Sequence, residues 1–188
     1  MEILKLQQLK LELAVKSKKG ADFILAASII WFGIAIIWSL SSPAYQKSVV
    51  TFIVGSALLP LAFILSKILK TNWKVKNNPL QPLGLWFNFA QLFYFPFLIF
   101  ILLKSPDYFV MTYAIITGAH LFPYAWLYDE IMYAVTAGVI SVITLILALN
   151  MPLSLMYFVP LSTALVLLFL FLWLIAPLTK QKWKNKTR

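Results

Sequence analysis

A chain of 188 residues that is 62% hydrophobic and only 12% charged carries more apolar surface than a soluble core of that length can hide, so its solvent has to be lipid. It has no cysteine and one histidine, which excludes disulfides, thiol nucleophiles and any metal site built from two imidazoles of one chain. The net charge of +10 comes from lysines set beside apolar stretches, which read as topology signals and contacts to anionic headgroups, not as a nucleic-acid surface.

Residues 1–20 form a basic segment with a rough amphipathic pattern. Ile3, Leu4, Leu6, Leu11, Leu13 and Val15 fall on one broad side of a helix, with Lys5, Gln8, Glu12 and Lys16 opposite, so an interfacial cytoplasmic helix is expected. Asp22 reads as the N-cap of the first span. Six apolar stretches follow, at residues 23–40, 49–69, 83–103, 108–128, 131–149 and 153–176. Each is about 18–24 residues long, enough to cross a ~30 Å hydrocarbon layer. The connections are short, which makes successive helices antiparallel neighbours. The predicted fold is an all-α membrane bundle of six transmembrane helices over residues 21–178, followed by a basic cytoplasmic tail at 179–188.

Orientation follows from the basic residues. Fourteen of the sixteen lie before the first span, after the second or after the sixth, against only Lys47 and Lys104 in the opposite turns. The positive-inside rule therefore places both termini and the loop around Lys70–Pro82 in the cytoplasm, as a multipass protein of the cell membrane with an even number of spans. Asp129 and Glu130, the only acidic pair, are expected to form a solvated turn that caps the next helix. The small pairs Ala114/Gly118, Ala134/Gly138 and Ala137/Ser141 are expected to mark close helix packing. The bulky sixth span is expected to face lipid widely.

An internal repeat emerges at an offset of 63 residues. Ser42-Pro43-Ala44-Tyr45 falls on Ser105-Pro106-Asp107-Tyr108, and Gly55, Leu58, Pro60 and Ala62 fall on Gly118, Leu121, Pro123 and Ala125. Residues 23–68 and 86–131 thus read as two helical hairpins of the same orientation, with 132–177 as a diverged third; parallel repeats of this kind share an axis along the membrane normal. Pro60 and Pro123 would kink equivalent helices and free the carbonyls of Ser56 and Ala119.

The two hairpins differ in a patterned way. Val50, Val54, Ala57 and Leu61 of the first become Tyr113, Thr117, His120 and Tyr124 in the second, while Leu25 and Ser28 become Asn88 and Gln91. Steps of three and four keep each set on one helical face. Polar groups at membrane depth are costly and usually face the protein interior or a water-filled cavity. Asn88, Gln91, Tyr113, Thr117, His120 and Tyr124 are therefore the candidate ligand-binding residues; individually, each also fits an interhelical hydrogen bond or a core aromatic. No catalytic or metal-ligating set is evident, and nothing in the sequence names a cofactor.

Residues 77–96 (NNPLQPLGLWFNFAQLFYFP) and 113–128 (YAIITGAHLFPYAWLY) resemble a family of small multipass bacterial membrane proteins classed as a domain of unknown function. The resemblance brings no activity or catalytic residue with it, but it marks the His120 and Asn88/Gln91 regions as distinctive. Three functions are open on these grounds. The first is a small-molecule or proton-coupled carrier, or a ligand-binding subunit, with its pocket around His120. The second is an accessory or structural subunit packing against a partner, as a homo- or hetero-oligomer. The third is a membrane-embedded lipid enzyme, disfavoured because thiols are missing, there is a single histidine, and no paired acids lie at membrane depth.

Overall fold

The structure is a computed structural model that describes the backbone of residues 2–186 and the side chains of residues 4–176. The side chains of the predicted tail, 179–188, lie outside the described residues, as does that of Ile3. Ten α-helices make up the described chain: α1 (Glu2–Lys16), α2 (Ala21–Ser39), α3 (Ala44–Gly55), α4 (Leu58–Leu69), α5 (Gln81–Leu92), α6 (Phe95–Lys104), α7 (Phe109–Ala119), α8 (Phe122–Tyr128), α9 (Met132–Asn150) and α10 (Phe158–Lys186). Among the described residues there is no strand.

Four stretches are long and apolar enough to cross a membrane: Lys18–Ser39, Gln81–Lys104, Met132–Asn150 and Leu153–Ala176. The pair α3 and α4, bent by 41°, supplies a fifth. The stretch expected as a single span at 108–128 is instead divided into α7 and α8, of 11 and 7 residues. At ~1.5 Å per residue neither reaches across a bilayer alone.

Proline explains the breaks. Its ring lacks an N–H and collides with the carbonyl four residues earlier, so a helix bends on its N-terminal side. The α3–α4 break falls just before Pro60 and the α7–α8 break just before Pro123, where the sequence leads one to expect kinks. A third break, between α5 and α6, falls just before Pro96 in what reads as an uninterrupted span.

The loops gather at two ends. At one end α1 is laced to the loop after α4: Asn72 N–H donates to the Lys16 carbonyl (3.0 Å), and Asn78 Nδ2 donates to the Leu9 carbonyl (2.9 Å) and to Glu12 Oε2 (3.0 Å). Lys16, and then Asn78, hold the Glu12 carboxyl below its ordinary value. Lys10 pairs with Asp129 (3.7 Å) and Lys19 with Glu130 (2.7 Å), bringing the α8–α9 turn to the same end. At the other end Ser48 Oγ donates to the Pro106 carbonyl (3.1 Å), and a small cleft joins Ser42 and Lys47 to Asp107 and Ser154.

Unbroken α2, α9 and α10 form the scaffold. Ser28 Oγ on α2 donates to the Ala164 carbonyl on α10 (3.0 Å) in a fully buried seam. The expected lipid-facing role of the last span is corrected here. In α10 the bulky Leu167, Leu170 and Leu174 are buried along α2, and 44% of its apolar window is enclosed, against 6% for Gln81–Lys104. Residue size does not decide exposure; neighbours do.

Three further expectations change. Asp22 is not a cap: Gly20, with φ +71°, occupies that position, and Asp22 lies buried inside the first turn of α2. The single apolar side of α1 is split, with Leu13 and Ala14 turned to the protein and Leu4, Leu11 and Val15 exposed opposite, because α8 and the 70–80 loop cover only one face. Gly138 is exposed and a Cβ built on it would meet nothing within 4 Å, so it takes no part in close packing, whereas Gly118 does. A Cβ on Gly118 would lie 2.8 Å from Ile140 Cγ2 and 3.3 Å from the Ala137 carbonyl, where α7 crosses α9. Gly118→Ala is therefore expected to lower thermal stability by about 1–3 kcal/mol through overpacking. Gly138→Ala should leave it unchanged or raise it by up to about 1 kcal/mol. Melting of both variants in mild detergent, followed by circular dichroism, checks the contrast.

Candidate functional site

At the breaks the backbone tightens into short turns, as where Ser56 N–H donates to the Ile53 carbonyl and Leu121 N–H to the Gly118 carbonyl, and a cavity of about 620 Å³ opens beside them. All three breaks border it: Gly55 and Ser56 at the first, Leu92 and Phe95 at the second, His120 and Leu121 at the third. The opposite wall is α2, from Asp22 to Trp31, and the mouth is closed toward the α1 end by Asn72, Trp73 and Lys74.

Asn88, Gln91, Tyr113, Thr117, His120 and Tyr124 all border this one cavity, the first two from α5 and the others from α7 and α8. His120 sits at the end of α7. Its Nδ1–H donates to the Thr117 carbonyl (2.8 Å), since a carbonyl can only accept, and in the neutral ring this leaves Nε2 as an acceptor. The imidazole stands edge-on to Tyr124, with centroids 5.9 Å apart. Tyr124 in turn donates through its hydroxyl to the Gly84 carbonyl (2.9 Å), which clips α5 to α8. The Asn88 and Gln91 side chains are half-buried and have no hydrogen-bond partner among the described residues.

Tyr113 shows why the hairpins fit. Its ring packs against Trp31 at 5.3 Å, and its hydroxyl occupies the space that a Cβ on Gly55 would fill. A glycine in one hairpin thus makes room for the tyrosine of the other.

The sequence reading missed much of the wall. Asp22 Oδ2 accepts from Thr71 Oγ1 (2.7 Å) and Trp73 Nε1 (2.6 Å), drawing the 70–80 loop over the cavity. Trp73 is held between Phe23 (4.8 Å, stacked) and Phe63 (5.8 Å, edge-on). Tyr128 and Tyr133 pack with Tyr124 at 5.8 Å, and the Tyr133 hydroxyl donates to the Lys19 carbonyl. A carboxylate at the head of an apolar span was the available signal for Asp22, but there it doubles as an ordinary cap. The turn acids are only in part the solvated cap expected: Asp129 is exposed, whereas Glu130 pairs with Lys19 and accepts from Met132 N–H (3.4 Å).

The wall is mainly hydrocarbon and aromatic, with separated hydrogen-bonding groups, which suits binding more than bond cleavage. Among the described residues no group of three His, Cys, Asp or Glu side chains could hold a metal ion. Fold and cavity together define an all-helical protein of membrane character with a chamber between broken helices. Over residues 6–177 the chain matches a family of unknown function (DUF7010), and it belongs to that family. No match emerged among curated proteins or among solved structures.

The Gly55–Tyr113 contact is testable by compensation. Gly55→Ala should cost about 1–3 kcal/mol by displacing the phenol. Adding Tyr113→Phe, which removes the overlapping oxygen, should recover most of that loss in thermal melts.

Proposed function

We propose that this chain is a carrier, or the ligand-binding subunit of one, that takes a small molecule into the chamber around His120 within the bacterial cytoplasmic membrane. The observation that carries the reading is convergence: six polar positions, chosen only because a sister hairpin has mostly apolar residues there, border a single cavity at which three helix breaks meet. Discontinuous helices near the bilayer midplane are a recurrent way to build a substrate site, because their freed backbone groups can line a cavity but not face lipid. Imidazole ordinarily titrates nearest neutrality of any side chain, so His120 offers a group for proton coupling.

The topology in this reading has six passages, with α7–α8 as a broken one, and both ends cytoplasmic. Support comes from the loops: α1, the 70–80 segment and the 129–131 turn meet at one end, and the Ser48–Pro106 contact joins turns at the other. The two hairpins are duplicates in this account, supported by helices that restart at Leu58 and Phe122, close to the 63-residue offset. An accessory subunit is the second reading, favoured by the nearly unburied α5–α6, which exposes Leu85, Trp86, Phe93 and Phe100.

A thermal-shift screen tests the carrier reading. In mild detergent, purified protein is presented with a panel of polar nutrients and lipid-soluble amphiphiles. A ligand at a hundredfold excess over its Kd adds about 2.7 kcal/mol, a shift of several degrees. At least one compound should stabilise the wild type and lose that effect in His120→Ala. If no compound shifts the wild type and a stoichiometric protein co-purifies until Gln91→Leu releases it, the accessory reading replaces this one.

A further inference from the structure

Asp22 is 1% exposed, borders the chamber, and has no ion pair among the described residues. The lysines at this end are engaged elsewhere: Lys18 donates to the Leu69 carbonyl, Lys19 is paired with Glu130 and Lys10 with Asp129, while Lys74 at the mouth is exposed and makes no pair with Asp22. Both hydrogen bonds it accepts are from neutral donors and fall on one oxygen, Oδ2; Oδ1 accepts none among the described residues. A buried carboxylate in such surroundings is costly without a counter-charge.

The surroundings also define what that counter-charge would be. Phe23, Trp31, Trp73, Tyr124, Tyr128 and Tyr133 line the same chamber. Aromatic faces attract cations, most strongly ones with little hydration to lose. A small hydrated metal ion finds no cluster of ligands here. The remaining wall is hydrocarbon, which suits an apolar body.

We propose that the chamber takes a lipophilic organic cation, a quaternary or protonated amine on an apolar frame, with Asp22 opposite its charge and the aromatic rings against its body. This rests on the chamber being a ligand site and specifies what enters it. Asp22 then has two roles, as the anchor of Thr71 and Trp73 and as the counter-ion, so cargo and the loop over the mouth share one residue.

The test uses probes of matched shape and opposite charge, tetraphenylphosphonium and tetraphenylborate, with neutral triphenylmethanol as a third. Binding to the full-length protein in detergent is read by quenching of tryptophan fluorescence, with protein-free micelles subtracted. The cation should bind roughly tenfold or more tighter than the borate, a preference that Asp22→Asn abolishes, and Trp31→Leu should weaken the cation roughly fivefold. Should Asp22→Asn fail to fold, the charge preference of the wild type and the Trp31→Leu variant decide the matter. Equal or tighter binding of the borate, or a cation preference that survives Asp22→Asn, overturns the proposal. Binding of the neutral probe alone, lost when Thr117→Phe fills the cavity, overturns the cation while sparing the ligand site; binding of none of the three likewise overturns the cation, and the ligand site itself stands or falls by the thermal-shift screen.

Discussion

Hydrocarbon offers no hydrogen bonds, so every backbone group a helix leaves unpaired at membrane depth has to be turned inward. The rest of this structure depends on that constraint. Three helical stretches are interrupted, each just before a proline, and all three interruptions border one chamber. The uninterrupted helices, α2, α9 and α10, do the opposite work, packing lengthwise through buried contacts such as Ser28 to Ala164. Breaks and scaffold are therefore two consequences of the same solvent.

The walls of the chamber are unequal. On α2 the wall is well packed, with Ile24, Ile30 and Trp31 buried. On α5–α6 it is thin, with Leu98 its only buried residue, and among the described residues the Tyr124 hydroxyl to Gly84 is the one side-chain hydrogen bond that clips α5 to a neighbouring helix. Elements with few buried contacts open at the lowest free energy, so α5–α6 is the wall with least packing to lose. The mouth is tied differently, by Asp22 through Thr71 and Trp73 and by α1 through Asn78. Entry from the lipid side and entry past the loop would thus break different bonds.

Much of this was legible in sequence, and the parts that were not share a cause. The apolar stretches locate the long helices to within a few residues because lipid demands length and hydropathy, both local properties. The polar stripe from Tyr113 to Tyr124 was visible because the residues 63 positions earlier are apolar. At the same offset Pro96 falls on Gly33, so no matching proline drew the eye to it and its break went unread. Asp22 looked like a cap because its partners, Thr71 and Trp73, lie some fifty residues away. The burial of α10 was hidden for the same reason: it is set by α2, at the far end of the chain.

The central claim is that the chamber at the helix breaks is an accessible space inside the membrane. The chain has no cysteine, so a single cysteine can be placed at will. With His120→Cys in native membranes, a small water-soluble thiol reagent should modify the residue readily, while Val142→Cys, exposed on the outer face of α9, should resist it. Equal protection at both positions would mean that no such space reaches His120, and would contradict the account.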